Sequence, residues 1–194
     1  MQLSNITGLF YGSFNPIHIG HMALANYMVT YTNIQDLWFV VSPQNPLKQK
    51  HTLLPDYQRL EMVNIAIEDD IRFRASDIEF HLPKPSYTID TLAYLEEKYP
   101  KRKFIIIMGA DTLHTLHKWK NIDVLIDKFE ILVYPRPGYS TEDIRLKAKY
   151  TLTEAPKIEI SATFIRKAIK EGKDIRHFLP HRVYEHIQTM GFYC

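Results

Sequence analysis

The sequence predicts an α/β protein, a doubly wound parallel sheet in a single domain with C-terminal helices, and three observations predict it. Short apolar runs alternate with stretches of helical period, as expected for strands covered on both faces by intervening helices. Strands separated by helices pair in parallel through right-handed crossovers. The 194 residues suffice for one sizeable core and leave little room for a second, so residues 1–194 are read as one domain.

In chain order, Ile6 to Tyr11 reads as a buried strand, Ile19 to Tyr31 as a helix and Asp36 to Val41 (DLWFVV) as the second strand. Asp56 to Glu68 fits a helix, with Pro55 just before it and Tyr57, Leu60, Val63 and Ile67 along one stripe. A short strand over Ile71 to Ala75 precedes a helix over Ser86 to Tyr99, with Ser86 as its cap. Phe104 to Met108 (FIIIM) has the unbroken apolar character of a strand buried on both faces. A helix is expected between Asp111 and Trp119, a short one over Ile122 to Asp127, and strands over Glu130 to Tyr134 and Ile158 to Ile160. Ala162 to Glu171 reads as a helix stopped at Gly172, and Pro180 to Met190 as one ending before Gly191. Ligands of such sheets bind beyond the carboxyl ends of the strands, where the strand order reverses. Polar residues just after strands therefore carry the functional reading.

Composition narrows the function classes. Hydrophobic residues at 45% with 24% charged fit a soluble folded chain rather than a disordered or fibrous one. A net charge of +2 gives no sign of the cationic face that binds polyanionic polymers, so no nucleic-acid partner is expected. Cys194 is the only cysteine, which rules out an internal disulfide or a zinc site built on thiolates and favours a reducing, cytoplasmic location. The best apolar run, Phe104 to Ala110, is too short to span a bilayer, and no membrane partner is expected. The opening MQLSNITGLFYG lacks the basic segment and long apolar core of a leader. Carboxylates such as Glu96 and Glu97 read as solvated helix faces, and no structural metal is expected.

Chemistry concentrates in YGSFNPIHIGH, Tyr11 to His21, at the end of the first strand. Gly12 admits a positive φ or a close ligand approach, and Asn15-Pro16 suits a turn into a helix. The helix after that turn offers unpaired N–H groups and the positive end of its dipole to an anion. His18 and His21, three apart, share a face if both lie in the first turn, and Gly20 keeps side-chain bulk away from a base or sugar. By itself the pair reads as well as two surface residues on a capped helix. A Walker A loop is excluded, because Gly-Lys-Ser/Thr is missing.

The whole string resembles the GGTFDPIHxGH signature of the nucleotidylyltransferase superfamily, departing from it at Tyr11, Ser13 and Asn15. The tetrapeptide HIGH also occurs in class I aminoacyl-tRNA synthetases, but their KMSKS loop has no counterpart here, and the chain is short for such an enzyme. Ile160 to Arg166, ISATFIR, resembles instead the ISSTxIR motif of nucleotidylyltransferases, with Ala162 for a family Ser. Ser161 and Thr163 would lie at a helix N-terminus, where hydroxyls and N–H groups bind phosphate, and Arg166 would add a cation one turn on. As residues alone, this segment reads as a capped amphipathic helix.

Three further stretches are similar to the nicotinate-nucleotide adenylyltransferase family: SPQNPLK (Ser42 to Lys48), SYTIDTL (Ser86 to Leu92) and GADTLHTLHKW (Gly109 to Trp119). The resemblance implies a Rossmann-like fold and adenylyl transfer from ATP to nicotinate mononucleotide, with release of pyrophosphate. Nicotinamide mononucleotide or another phosphorylated acceptor such as phosphopantetheine stays open, as does a nucleotide-sensing module without catalysis. It implies His18, His21 and Arg166 as catalytic, and ATP on Gly12, Ser13, Phe14, Gly20, Gly109, Asp111, Ser161 and Thr163 besides these three. The acceptor would meet Asn45, Lys48, Tyr87, Thr88, Trp119 and Arg136, with Trp119 stacked on the pyridine ring. Mg²⁺ would be held mainly by ATP phosphates, with no metal ligands from the protein, and a homo-oligomer is compatible with all of this.

Overall fold

A computed structural model of the chain describes residues 5–43, 53–140 and 150–194. The strands are β1 (Asn5–Gly12), β2 (Asp36–Val41), β3 (Phe73–Ser76), β4 (Arg102–Gly109), β5 (Glu130–Tyr134) and β6 (Tyr150–Leu152). All pair in parallel in one sheet ordered β3-β2-β1-β4-β5-β6. The order reverses at β1, whose neighbours are β2 and β4, so the ends of β1 and β4 form the crevice where this fold takes ligands. The helices are α1 (Ile19–Tyr31), α2 (Asp56–Ile67), α3 (Thr88–Lys98), α4 (Ala110–Leu113), α5 (Ile122–Lys128), α6 (Ala162–Lys170) and α7 (His181–Met190).

Strand periodicity divides the core into two layers. Phe10, Leu37, Phe39, Ile105 and Ile107 pack with residues of α1, α2, α6 and α7. Leu9, Trp38, Val40, Ile106 and Met108 pack with residues of α3, α4 and α5 on the other face. Both faces being covered explains why the strands read as unbroken apolar runs.

Several expectations need correction. Ile158 to Ile160 is not a strand. The sixth strand is Tyr150–Leu152, which pairs with Ile131 to Val133; after it, Thr153 closes the ladder by donating its N–H to Val133 O at 2.9 Å. The chain then leaves the sheet edge and lays Ile158 and Ile160 against the core face shared by α1 and α6. Ile71 is 96% exposed in a turn held by the Asp70–Arg72 ion pair, and the third strand begins only at Phe73. The helix expected between Asp111 and Trp119 is broken: α4 ends at Leu113 and a separate 3-10 turn covers Leu116–Lys118. On α2, Tyr57 is exposed and Leu60 only partly buried, while Arg59, Met62, Val63 and Ile67 face the core. Ser86 does not cap α3; Tyr87 stands at the N-cap, and Ser86 Oγ is buried without a hydrogen-bond partner.

Candidate active site

The turn after β1 places the signature residues. Phe14, at φ +44°, swings its ring back into the core, edge-on to Phe10, Phe39 and His21. The ring is thus buried and supports His21 from the core side. It also accounts for Gly12, which has no positive φ: a Cβ there would meet the Phe14 ring at 2.7 Å. Ser13 turns its carbonyl inward, where Arg59 Nη1 donates to it at 2.6 Å.

His18 caps α1 and His21 closes its first turn. The His18 N–H donates to His21 Nδ1 at 3.2 Å, which leaves the His21 ring proton on Nε2, and the two rings stack at 3.7 Å. A Cβ on Gly20 would lie 3.0 Å from both His18 Nδ1 and Ile158 Cγ2, so glycine lets the imidazole and Ile158 close over the helix start without displacement. His18 is 5% exposed, and its Nδ1 is buried without a partner. Burial, with the Arg136 guanidinium adding to it, pushes its pKa down to about 4. The ring is therefore neutral at pH 7 and offers one N–H.

That shift carries a stability signature. Unfolded, His18 takes up a proton below about pH 6.5, while folded it stays neutral to about pH 4, so its burial costs stability increasingly as pH falls between these values. Relative to a His18→Gln variant, wild type is expected to lose about 3 kcal/mol between pH 7 and pH 4. Urea unfolding of both proteins at several pH values checks this; a constant difference would show that the group titrates normally.

Opposite the histidines lies α6. Ser161 is its N-cap, its Oγ accepting from the Phe164 N–H at 3.2 Å, as the motif predicts. Arg166 spans the crevice: Nη1 donates to the Asn15 carbonyl at 2.7 Å, and Nη2 to Thr163 Oγ1 at 3.3 Å. The two signature strings, 151 residues apart at this contact, thus touch directly. A cleft beyond the ends of β4 and β5 is lined by Asp111, Arg136, Tyr139, Ile158, Glu159 and Ser161. Asp111 Oδ1 and Arg136 Nε face each other at 3.6 Å, and each is buried without a hydrogen bond. His18 Nδ1 is likewise buried without a hydrogen-bond partner. Gly109 lets Asp111 and Arg136 approach the end of β4. Arg136, expected to meet the acceptor, lies beside Asp111 at the end of β4 and close enough to His18 to act on its charge.

The acceptor residues gather partly. Tyr87 and Thr88 begin α3, and Trp119 is half-buried against the core on that face. Lys120, unnoticed in the sequence, joins the two segments: its Nζ lies 4.7 Å from the Tyr87 ring centre and donates to Asp90 at 2.9 Å. Asn45 and Lys48 lie outside the described residues. His114 and His117 are exposed, and His114 Nε2 sits 2.7 Å from Ser140 O at the rim of the cleft. Among the described residues no helix is long and apolar enough to cross a membrane.

The cytidylyltransferase-like family model matches residues 9–168. A Flavobacterium johnsoniae protein named as a nicotinate-nucleotide adenylyltransferase is 50% identical over 188 residues, covering 96% of this chain and 97% of the relative. A Bacteroides fragilis protein of the same name is 49% identical over 93% of this chain and 90% of its own. In fold, the chain is similar to Plasmodium falciparum nicotinic acid mononucleotide adenylyltransferase solved in complex with NaAD. The TM-score is 0.82 at 21% identity, over 97% of each chain.

Proposed function

Because the chain belongs to the cytidylyltransferase-like family and, within it, to the nicotinate-nucleotide adenylyltransferases, we propose that it transfers AMP from ATP to nicotinate mononucleotide, forming deamido-NAD and pyrophosphate. The observation that carries the reading is the meeting of the two signatures, Arg166 resting on Asn15 beside the stacked His18 and His21, at the point where the strand order reverses.

The chemistry asks little covalent work of the protein. The acceptor phosphate oxygen is already anionic near neutral pH, so it attacks the α-phosphorus of ATP in line without a general base. The bond from that phosphorus to the bridging oxygen breaks, and pyrophosphate leaves. Two anions must be held together and the charge on the equatorial and leaving oxygens stabilised. The neutral His18 and His21 present ring N–H donors, and the N-termini of α1 and α6 present backbone N–H groups. Arg166 and Arg136 supply the fixed positive charge. Asp111 suits ribose hydroxyls, and Trp119 suits the flat pyridine ring. A Mg²⁺ ion arriving with ATP would take its ligands mainly from the triphosphate oxygens.

The test is pyrophosphate release from ATP and Mg²⁺ with nicotinate mononucleotide, nicotinamide mononucleotide and phosphopantetheine in parallel. The nicotinate compound is expected to support the fastest turnover. Activity with phosphopantetheine alone would overturn the acceptor, and activity with none would favour nucleotide sensing without catalysis.

A further inference from the structure

One residue far from both signatures reaches into their contact. The left-handed Gly191, at φ +62°, stops α7, and Phe192 anchors the C-terminal turn by donating its N–H to Ile187 O at 3.1 Å and burying its ring. The turn delivers Tyr193 to the loop after β1. There its hydroxyl donates to Asn15 Oδ1 at 2.8 Å, and the same oxygen accepts the Leu54 N–H at 3.2 Å. Asn15 is 3% exposed, and its carbonyl is the group to which Arg166 Nη1 donates.

We propose that Tyr193 is a positioning residue for Arg166: by holding Asn15 it fixes the carbonyl on which the guanidinium rests and so aims Arg166 at the triphosphate. This rests on the reading of the crevice as an ATP site. A guanidinium on a long flexible stem loses little further freedom on binding when one nitrogen is already seated. Here one nitrogen is seated on Asn15, and Tyr193 is one of the groups that hold Asn15 in place. Burial raises the Tyr193 pKa, so the phenol keeps the proton it donates, while Arg166 and Arg59 lie near enough to oppose that rise. The neutral amide oxygen of Asn15 accepts from both the phenol and the Leu54 N–H without adding a charge to the loop.

The experiment is a double-mutant cycle on the full chain, reading the Kd of the α,β-methylene analogue of ATP with Mg²⁺ by calorimetry, with melting temperatures to confirm folding. Tyr193→Phe is expected to weaken binding about three- to tenfold in wild type and less than twofold in an Arg166→Ala background, because the tyrosine acts through the arginine. Equal losses in both backgrounds, or no loss in wild type, would overturn the positioning role and leave the ATP site standing. A wild-type protein that does not bind the analogue at all would sink the ATP reading and this proposal with it.

Discussion

Replacing His18 with alanine is expected to lower turnover by about two or more orders of magnitude while the fold survives. The first half follows from what the imidazole is placed to do. It stands at the start of α1, neutral at pH 7 and buried, beside Arg136 and stacked on His21. A donor fixed in a site that excludes water stabilises charge that grows in the transition state, and losing one such donor costs roughly 3 to 4 kcal/mol. At about 1.4 kcal/mol per factor of ten, this becomes two to three orders of magnitude. Because the charge develops during transfer, kcat and kcat/KM should fall together, with a smaller change in KM.

The second half follows from how poorly the free protein satisfies that ring. His18 Nδ1 is buried without a partner, so truncation removes an unsatisfied polar atom along with the ring. The start of α1 survives because its bonds use the backbone: the His18 N–H donates to His21, and the His18 carbonyl accepts from the N–H of His21 at 2.9 Å. Steady-state pyrophosphate release, with circular dichroism and a melting curve on the same sample, checks both halves. Near-normal turnover from a folded variant would sink the assignment.

What the sequence made legible depended on whether a residue's role was local. β1, β2, β4 and β5 are unbroken apolar runs because both sheet faces are covered, and α1 was read with its observed limits. The cap at Ser161 was readable for the same reason, since its hydroxyl serves an N–H three residues on. β6 was not legible: Tyr150–Leu152 is a three-residue edge strand, mostly exposed, whose strand character comes only from pairing with β5. Ile158 to Ile160 alternates like a half-buried strand, yet its apolar residues are spent on the helix side of the core. Tyr193 carries no local signal either, because its partner lies 178 residues away. The pairing of Arg136 with Asp111 and His18 was missed because it depends on how closely the ends of β4 and β5 approach.

Arg59 is the plainest case of a role that composition hides, and its replacement by leucine is expected to cost about 3 to 5 kcal/mol of stability. A helix-stripe reading assigns cations to the solvent face, since arginine is seldom fully buried unless paired. Here the side chain has no exposed surface and makes five hydrogen bonds, to the carbonyls of Ser13, Leu54, Ser42 and Pro43 and to Asp56 Oδ1. Those acceptors belong to three segments: the turn after β1, the loop leaving β2 and the approach to α2. Leucine fills similar space but leaves the carbonyls and one end of an ion pair without their donor, which makes removal of a buried charge partner costlier than its presence is beneficial. For a chain of this size the melting temperature should fall on the order of 10 °C. Lysine restores the charge but gathers its donors at one point, where the planar fork of arginine reaches acceptors on several sides. Arg59→Lys is therefore expected to recover only a minor part of the loss. Ser13 and Ser42 flank the crevice, so both variants should also weaken ATP binding in the protein that remains folded. An Arg59→Leu protein within about 1 kcal/mol of wild type in urea unfolding would mean that the three segments hold their arrangement without the guanidinium between them.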